Sequence, residues 1–224
     1  MIDIHSHVIP FVDDGSGSLE KSLLLLETAE KNGVTDIVCT PHYRRSSFET
    51  PVADIKDNFD LLRRANTTGV KLHLGQEIAY NPNVLNMLEN GEHLTMNGTE
   101  YILLEFNYVS YVDISSVVFE CKLRGFKPII AHIERYEYLT YEDIEELFYS
   151  GALIQVNASS LSLLSHYNGK VKKLLKKGQV HFIASDIHDG RTYDLKKAFD
   201  IVRKKYGEKT AQDLFYNNAL SFIK

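Results

Sequence analysis

Met1-Ile2-Asp3-Ile4-His5-Ser6-His7-Val8 opens the chain. Met1 to His5 reads as a strand, and residues two apart in a strand point to the same side. His5 and His7 can therefore reach one point in space, which is the geometry a metal ion needs from two ligands. Read alone, the pair is equally compatible with two solvated histidines near an N-terminus. The remaining chain decides between them.

Outward from this stretch, short apolar runs alternate with longer amphipathic segments. Strands are expected at Ile2–His5, Asp36–Thr40, Lys71–Gly75, Tyr101–Glu105, Pro128–His132, Leu153–Val156 and Phe182–Ser185. Leu19, Leu23, Leu26 and Ala29 fall at helical spacing behind Ser18, a suitable N-cap. Ile55, Phe59 and Leu62 repeat the pattern. Further helices are expected near Val112–Leu123, Tyr141–Tyr149, Lys170–Lys177, Leu195–Tyr206 and Thr210–Ala219. Gly33, Gly69, Gly125, Gly151 and Gly178 each stand between a helical pattern and the next strand, where a helix ends in left-handed geometry. Ser46–Pro51 and Ser159–Gly169 read as longer loops. Seven strands alternating with helices predict a parallel α/β protein, as a closed barrel or an open doubly wound sheet. No internal repeat or linker divides it, so one domain over residues 1–224 is expected.

The polar residues collect at the C-terminal ends of the strands. In order they are His5 and His7 with Asp13-Asp14-Gly15, Thr40-Pro41-His42, Gly75-Gln76-Glu77, Glu105, Ala131-His132-Ile133-Glu134-Arg135, and Ser185-Asp186-Ile187-His188. One carboxylate after a strand is often a helix cap. Six strand ends each carrying a metal-type ligand need another reason, and α/β barrels build active sites from these loops. The donors are imidazole and carboxylate, which suits Mn²⁺, Fe²⁺, Zn²⁺ or Co²⁺ without choosing among them. They exceed what one ion can use, so two or three ions are implied, with a bridging carboxylate. Close-spaced ions suit phosphoester hydrolysis, with amide hydrolysis the rival.

These motifs, in register over nearly the whole chain, resemble the polymerase and histidinol phosphatase (PHP) superfamily, and within it the bacterial capsule-type protein-tyrosine phosphatases. The resemblance implies a distorted (β/α)7 TIM-like barrel and three divalent ions, usually manganese, with iron or zinc possible. Carried onto matching positions, it implies a first ion on His5, His7, Glu77 and Asp186. It implies a second on Glu77, Glu105 and His132, and a third on His42, His188 and Asp14, with Asp13 the alternative. Arg135 matches a phosphate-contacting position, and Arg191 is the candidate for a second in a shorter loop. The implied reaction is hydrolysis of phosphotyrosine by a metal-bridging hydroxide. The implied substrate is the tyrosine-rich tail of a capsule or exopolysaccharide kinase. A small-molecule phosphomonoesterase of the histidinol-phosphatase kind is the alternative. Tyr43, Ala79, Ile133 and Asp189 depart from the family's usual residues, and none is a proposed ligand.

Composition narrows the partners. A net charge of −5 over 224 residues disfavours a broad nucleic-acid surface. Two cysteines, Cys39 and Cys121, exclude a disulfide framework. The sequence has neither a signal-peptide pattern nor an apolar run of membrane-spanning length, so a cytoplasmic protein is expected. His73, His93, His166 and His181 lack partner motifs and read as surface or strand histidines.

Cys39-Thr40-Pro41-His42-Tyr43-Arg44-Arg45-Ser46 also fits the Cys-x5-Arg-Ser loop of cysteine-dependent phosphatases. A phosphate cradle needs successive inward N–H groups, and this stretch has no glycine while Pro41 has no N–H. A cysteine ending an apolar strand is usually a buried structural thiol. Cys39→Ser should therefore leave phosphatase turnover within about twofold of the parent, because no thiolate nucleophile is removed. Abolished turnover in that variant, measured on p-nitrophenyl phosphate, would contradict this reading.

Overall fold

Each apolar run forms a parallel strand, and the glycines that follow the helices turn the chain back toward the next one. A computed structural model describes residues 1–223; Lys224, the last residue of the expected domain, lies outside them. The strands are β1 (Ile2–Ser6), β2 (Asp36–Cys39), β3 (His42–Tyr43), β4 (Lys71–Leu74), β5 (Glu77–Ala79), β6 (Tyr101–Glu105), β7 (Lys127–Ile130), β8 (Leu153–Asn157) and β9 (Phe182–Ala184). The helices are α1 (Leu19–Lys31), α2 (Val52–Ala65), α3 (Val84–Glu89), α4 (Ile114–Leu123), α5 (Tyr141–Ser150), α6 (Asn168–Lys177), α7 (Leu195–Tyr206), α8 (Glu208–Phe215) and α9 (Leu220–Ile223).

All strand pairings are parallel, in the orders β1-β2-β4 and β3-β5-β6-β7-β8-β9. Thr40-Pro41 separates β2 from β3, and Gly75-Gln76 separates β4 from β5. The ladder nevertheless crosses both breaks, through Gly75 N–H to Cys39 O at 2.8 Å and Glu77 N–H to Pro41 O at 3.1 Å. At the other margin, Asp186 N–H donates to His5 O at 2.9 Å and His7 N–H to Ile187 O at 3.0 Å. The result is a curled parallel sheet whose last strand returns to its first.

Alternate residues along the strands face two apolar layers. Ile37, Ile102, Leu104, Ile130, Ile154 and Ile183 pack outward against helix residues such as Leu26, Leu62, Val118 and Leu174. Ile4, Val38, Leu103, Ile129 and Phe182 pack inward, and Phe222 of α9 joins them. Its ring lies 5.0 Å from that of Tyr101 and 5.7 Å from that of Phe182. Apolar packing thus fills the interior below the strand ends, and polar groups occupy the level above it.

Sequence expectation and structure agree on the seven main strands and on most helix ends. Ser18 caps α1 with its hydroxyl accepting from Lys21 N–H at 3.3 Å. Gly33, Gly125, Gly151 and Gly178 have positive φ as expected, whereas Gly69 does not. α2 ends earlier, at Ala65, and Asn66 organises the turn by accepting from Thr68 N–H at 2.9 Å. The expected Thr210–Ala219 helix is α8 followed by a short 3-10 turn at Asn217–Ala219. The expected loop Ser159–Gly169 begins inside a 3-10 turn and ends inside α6. β3, β5 and the six-residue α3 are too short to show a periodicity. His93 is not a surface or strand residue: it lies in a loop, buried, with its ring 4.1 Å from that of Tyr43.

His181 supplies a stability switch at the sheet margin. Its Nδ1 accepts from Ile154 N–H at 2.9 Å, and its ring stacks on Phe148 at 4.9 Å. Accepting at Nδ1 requires the neutral ring, and burial pushes its pKa down to about 4. The unfolded chain binds this proton first, so the contribution is complete above the ordinary value and is lost as pH falls toward 4. Asn can present an acceptor where Nδ1 stands. Between pH 7 and 5.5, His181→Asn should lose about 1 kcal/mol less stability than the parent in urea unfolding. Parallel losses would contradict the assignment.

Candidate metal centre

The strand ends converge on the carboxylate of Glu77, at the start of β5. Its Oε2 lies 3.2 Å from His5 Nε2, 3.3 Å from His7 Nε2 and 2.8 Å from His42 Nδ1. Its other oxygen, Oε1, lies 2.8 Å from His132 Nε2. Glu77, His5 and His7 have no solvent exposure.

Two backbone devices aim these groups inward. β1 carries an extra residue between Asp3 and Ser6 relative to β2. Such a bulge re-aims side chains. Ile2 and Ile4 face the inner layer, yet His5 and His7 also point inside. His132 and Asp186 leave β7 and β9 with φ of 30° and 52°. Left-handed backbone at non-glycine residues costs about 1–3 kcal/mol each and clusters at functional sites.

His5 and His7 stand 3.2 Å apart at Nε2, and Asp186 Oδ1 lies 3.7 Å and 3.5 Å from them. With ligand bonds of about 2.1 Å, the corners of a tetrahedral site are about 3.4 Å apart. His5, His7, Glu77 and Asp186 therefore bracket a volume of metal size. His132 Nε2 also faces Glu105 Oε1 at 3.7 Å, which brings Glu77, Glu105 and His132 together. Asp14 Oδ1 stands 3.8 Å from His42 Nε2 and 3.6 Å from His188 Nε2. Asp13 is engaged elsewhere: it accepts from His7 Nδ1 at 2.7 Å, His42 N–H at 2.9 Å and Gly15 N–H at 2.9 Å. Gly15 passes so close to His7 that an added Cβ would lie 2.2 Å from the His7 backbone oxygen.

The arginines sit at the rim. Arg135 donates to Asp186 Oδ2 at 2.7 Å, and Arg191 Nη1 lies 3.7 Å from the same oxygen. All eleven residues expected from sequence gather around one cluster.

Electrostatics tie these groups together. Burial alone would raise the Glu77 carboxyl, but His5 and His42 hold it well below the usual range. Burial likewise opposes ionisation of Asp186, and His5, His7 and Arg135 override it. Asp13 is brought down to about 2, against burial, by His7 and by the His42 and Gly15 N–H groups. In turn Asp13 lifts His7 well above the ordinary imidazole value, despite burial. His188 moves the other way, to about 4, through burial and repulsion from His7.

The donor set fits a cation. Glu77 Oε2, His42 Nδ1 and His132 Nδ1 are buried without an aligned hydrogen bond. Glu77 Oε2 has three imidazole nitrogens within 3.3 Å, and such crowding without hydrogen bonds is what ligation resolves.

Residues with no motif of their own hold the cluster in place. Gln155 Oε1 accepts from His132 N–H at 2.7 Å and approaches His5 Nδ1 at 3.3 Å. Its amide donates to Asn157 Oδ1 at 2.8 Å, and Asn157 donates to Asp186 Oδ2 at 2.8 Å. Arg44 donates to Glu105 Oε2 at 2.7 Å, and the Tyr108 hydroxyl donates to Glu105 Oε1. Gln155 and Asn157 interrupt the inward face of β8, and that alternation is the signal that could have found them. Arg44 was in view as part of the cysteine loop, but that loop does not exist. Cys39 is fully buried, burial drives its thiol far above the ordinary range, and His42-Tyr43 continue as a strand.

Carboxylates behind a ligating histidine typically affect metal affinity about 10–100-fold. Asp13→Asn should weaken Mn²⁺ binding by that factor in a calorimetric titration, with thermal unfolding of the metal-free protein still cooperative. Unchanged affinity would show that Asp13 does not orient His7.

Comparison with known proteins adds the lineage. The family model "Capsular polysaccharide synthesis, CpsB/CapC" matches residues 1–224. The chain is 37% identical over 238 residues to tyrosine-protein phosphatase CpsB of Streptococcus pneumoniae, covering all of this chain and 98% of that one. It superposes with a TM-score of 0.92 and 27% identity on a crystal structure from work on YwqE of Bacillus subtilis and CpsB of S. pneumoniae, described as metal-dependent tyrosine phosphatases. That match covers 98% of this chain and 93% of the other. Histidinol phosphate phosphatase of Lactococcus lactis shares the fold at a TM-score of 0.60 and 12% identity, covering 92% of this chain and 93% of that one. The sequence match, end to end, shows that this chain belongs to the CpsB/CapC family.

Proposed function

We propose that this protein is a metal-dependent protein-tyrosine phosphatase acting in capsule or exopolysaccharide synthesis. The observation that carries the reading is the buried Glu77 carboxylate, met by His5, His7, His42 and His132 from three other strand ends. The names of the relatives support the phosphotyrosine substrate.

In this reading the chain is one domain, residues 1–224, and its curled sheet is a (β/α)7 barrel. β3 and β5 continue β2 and β4, and the bonds between β1 and the segment after β9 close the ring. Three divalent ions, manganese by preference, would be held by the cluster. His5, His7, Glu77 and Asp186 would hold the first, and Glu77, Glu105 and His132 the second. His42, His188 and Asp14 would hold the third, since every oxygen of Asp13 already faces a protein donor. Bound there, the ions supply an activated water and positive charge for the phosphoryl oxygens.

The chain's own residues do the rest. Arg135 and Arg191, at the rim beside Asp186, turn from that carboxylate to the phosphoryl oxygens and stabilise the charge that develops on them. Gln155 and Asn157 keep His5, His132 and Asp186 in register. A phenol leaves readily, with a pKa of about 10, so demand for a strong general acid is modest.

A protein-sized substrate is favoured over a small phosphomonoester by the rim. Phe11, Val109 and Leu164, in the loops after β1, β6 and β8, are 60%, 87% and 97% exposed on the face that carries the cluster. Each can give apolar contact to a substrate that extends beyond its phosphoryl group. The proposed substrate is the phosphorylated tyrosine-rich tail of a capsule kinase, met in the cytoplasm. Among the described residues no helix is long and apolar enough to cross a membrane.

Chelation with EDTA should abolish turnover of a phosphotyrosyl peptide, and Mn²⁺ should restore it. Arg135→Ala at saturating metal should lower kcat about 10²–10³-fold. Full activity after chelation, with residual metal excluded by elemental analysis, would refute the metal mechanism. A kcat/KM on small phosphomonoesters exceeding that on the peptide would refute the protein substrate.

A further inference from the structure

Resting on that phosphotyrosine reading, we propose that the cavity beyond Glu105 is a subsite for an acidic side chain flanking the scissile phosphotyrosine. Its key specificity determinant would be Arg45, assisted by Arg44 and Asn81.

The cavity has a volume of about 440 Å³. It adjoins the metal centre, because Glu105 forms part of its wall, yet it is separate from the cavity of Arg135 and Arg191. Tyr108 and Val109 belong to both and form the ridge between them. A peptide whose phosphotyrosine enters on one side of that ridge meets this cavity with the next residues of its chain.

The lining is biased toward hydrogen-bond donors. The one carboxylate in it, Glu105, is taken on both oxygens, by the Arg44 guanidinium and the Tyr108 hydroxyl. Arg44 leaves donors over, because the contact with Glu105 uses one Nη. Arg45 is exposed and has no ion-pair partner among the described residues. Asn81 uses its oxygen to accept from Asn83 N–H, and its Nδ2 is buried with no partner. Two guanidinium groups and an unsatisfied amide donor call for an anion. The rings of Tyr80 and Phe106, with centroids 5.3 Å apart, form an apolar wall for the stem that carries it. The chain's net charge of −5 makes this concentration of cationic groups local to the mouth.

The test uses three phosphotyrosyl peptides of equal length whose flanking residues are Glu, Ala or Lys, with p-nitrophenyl phosphate as a substrate that has no flank. The wild-type protein should turn over the Glu peptide with kcat/KM about tenfold above the Lys peptide, the Ala peptide falling between. Arg45→Glu should reverse that order and leave p-nitrophenyl phosphate turnover unchanged. Equal turnover of all three peptides by the wild type, or an order that survives Arg45→Glu, would overturn the subsite and leave the phosphatase reading standing. Hydrolysis of p-nitrophenyl phosphate with no turnover of any phosphotyrosyl peptide would overturn the substrate reading and the subsite together.

Discussion

Everything at the top of this fold depends on one buried carboxylate surrounded by imidazoles. Glu77 contributes two oxygens to a space shared with His5, His7, His42 and His132. Burying an ionised group without compensation is costly, and proteins tolerate it where the charge is paired or ligates a metal. Protons on His5 and His7 supply one form of compensation. They do so poorly, since Oε2 has no aligned hydrogen bond. Divalent cations would compensate more fully, and the spacing of the donors suits them.

The scaffold is organised to hold that arrangement against its own strain. The bulge in β1, the breaks at Thr40-Pro41 and Gly75-Gln76, and the left-handed turns at His132 and Asp186 all lie at the polar level of the sheet. Below that level the strands are regular and their inward residues are apolar. Rigid packing beneath and irregular backbone above is how a parallel sheet presents a site without losing its core. Gln155, Asn157, Asp13, Arg44 and Tyr108 then fix the orientation of individual ligand candidates through short hydrogen bonds.

Much of this was legible in the sequence. A run such as Tyr101–Glu105, apolar until its last residue, announces both a strand and the end at which chemistry sits. The motifs around His5, His42, Glu77, His132 and Asp186 carried the ligand candidates, which the fold gathers around one carboxylate. Three kinds of feature stayed hidden, for physical reasons. β3, β5 and α3 are shorter than the period that would reveal them. The bulge in β1 is a register relation with β2, so no single segment encodes it. Residues such as Gln155 and Arg44 act through partners 23 and 61 positions away, which sequence spacing does not connect. The choice between Asp13 and Asp14 belongs to the same class, because it turns on which carboxylate the backbone of His42 and Gly15 already occupies.

The central claim is that Glu77 is shared between ions. Anomalous diffraction at the manganese edge, from crystals grown with Mn²⁺, tests it most directly. The account requires two separate peaks, each about 2.2 Å from an oxygen of Glu77, one flanked by His5 and His7 and the other by His132. A single peak, or ions bound without contact to Glu77, would contradict it.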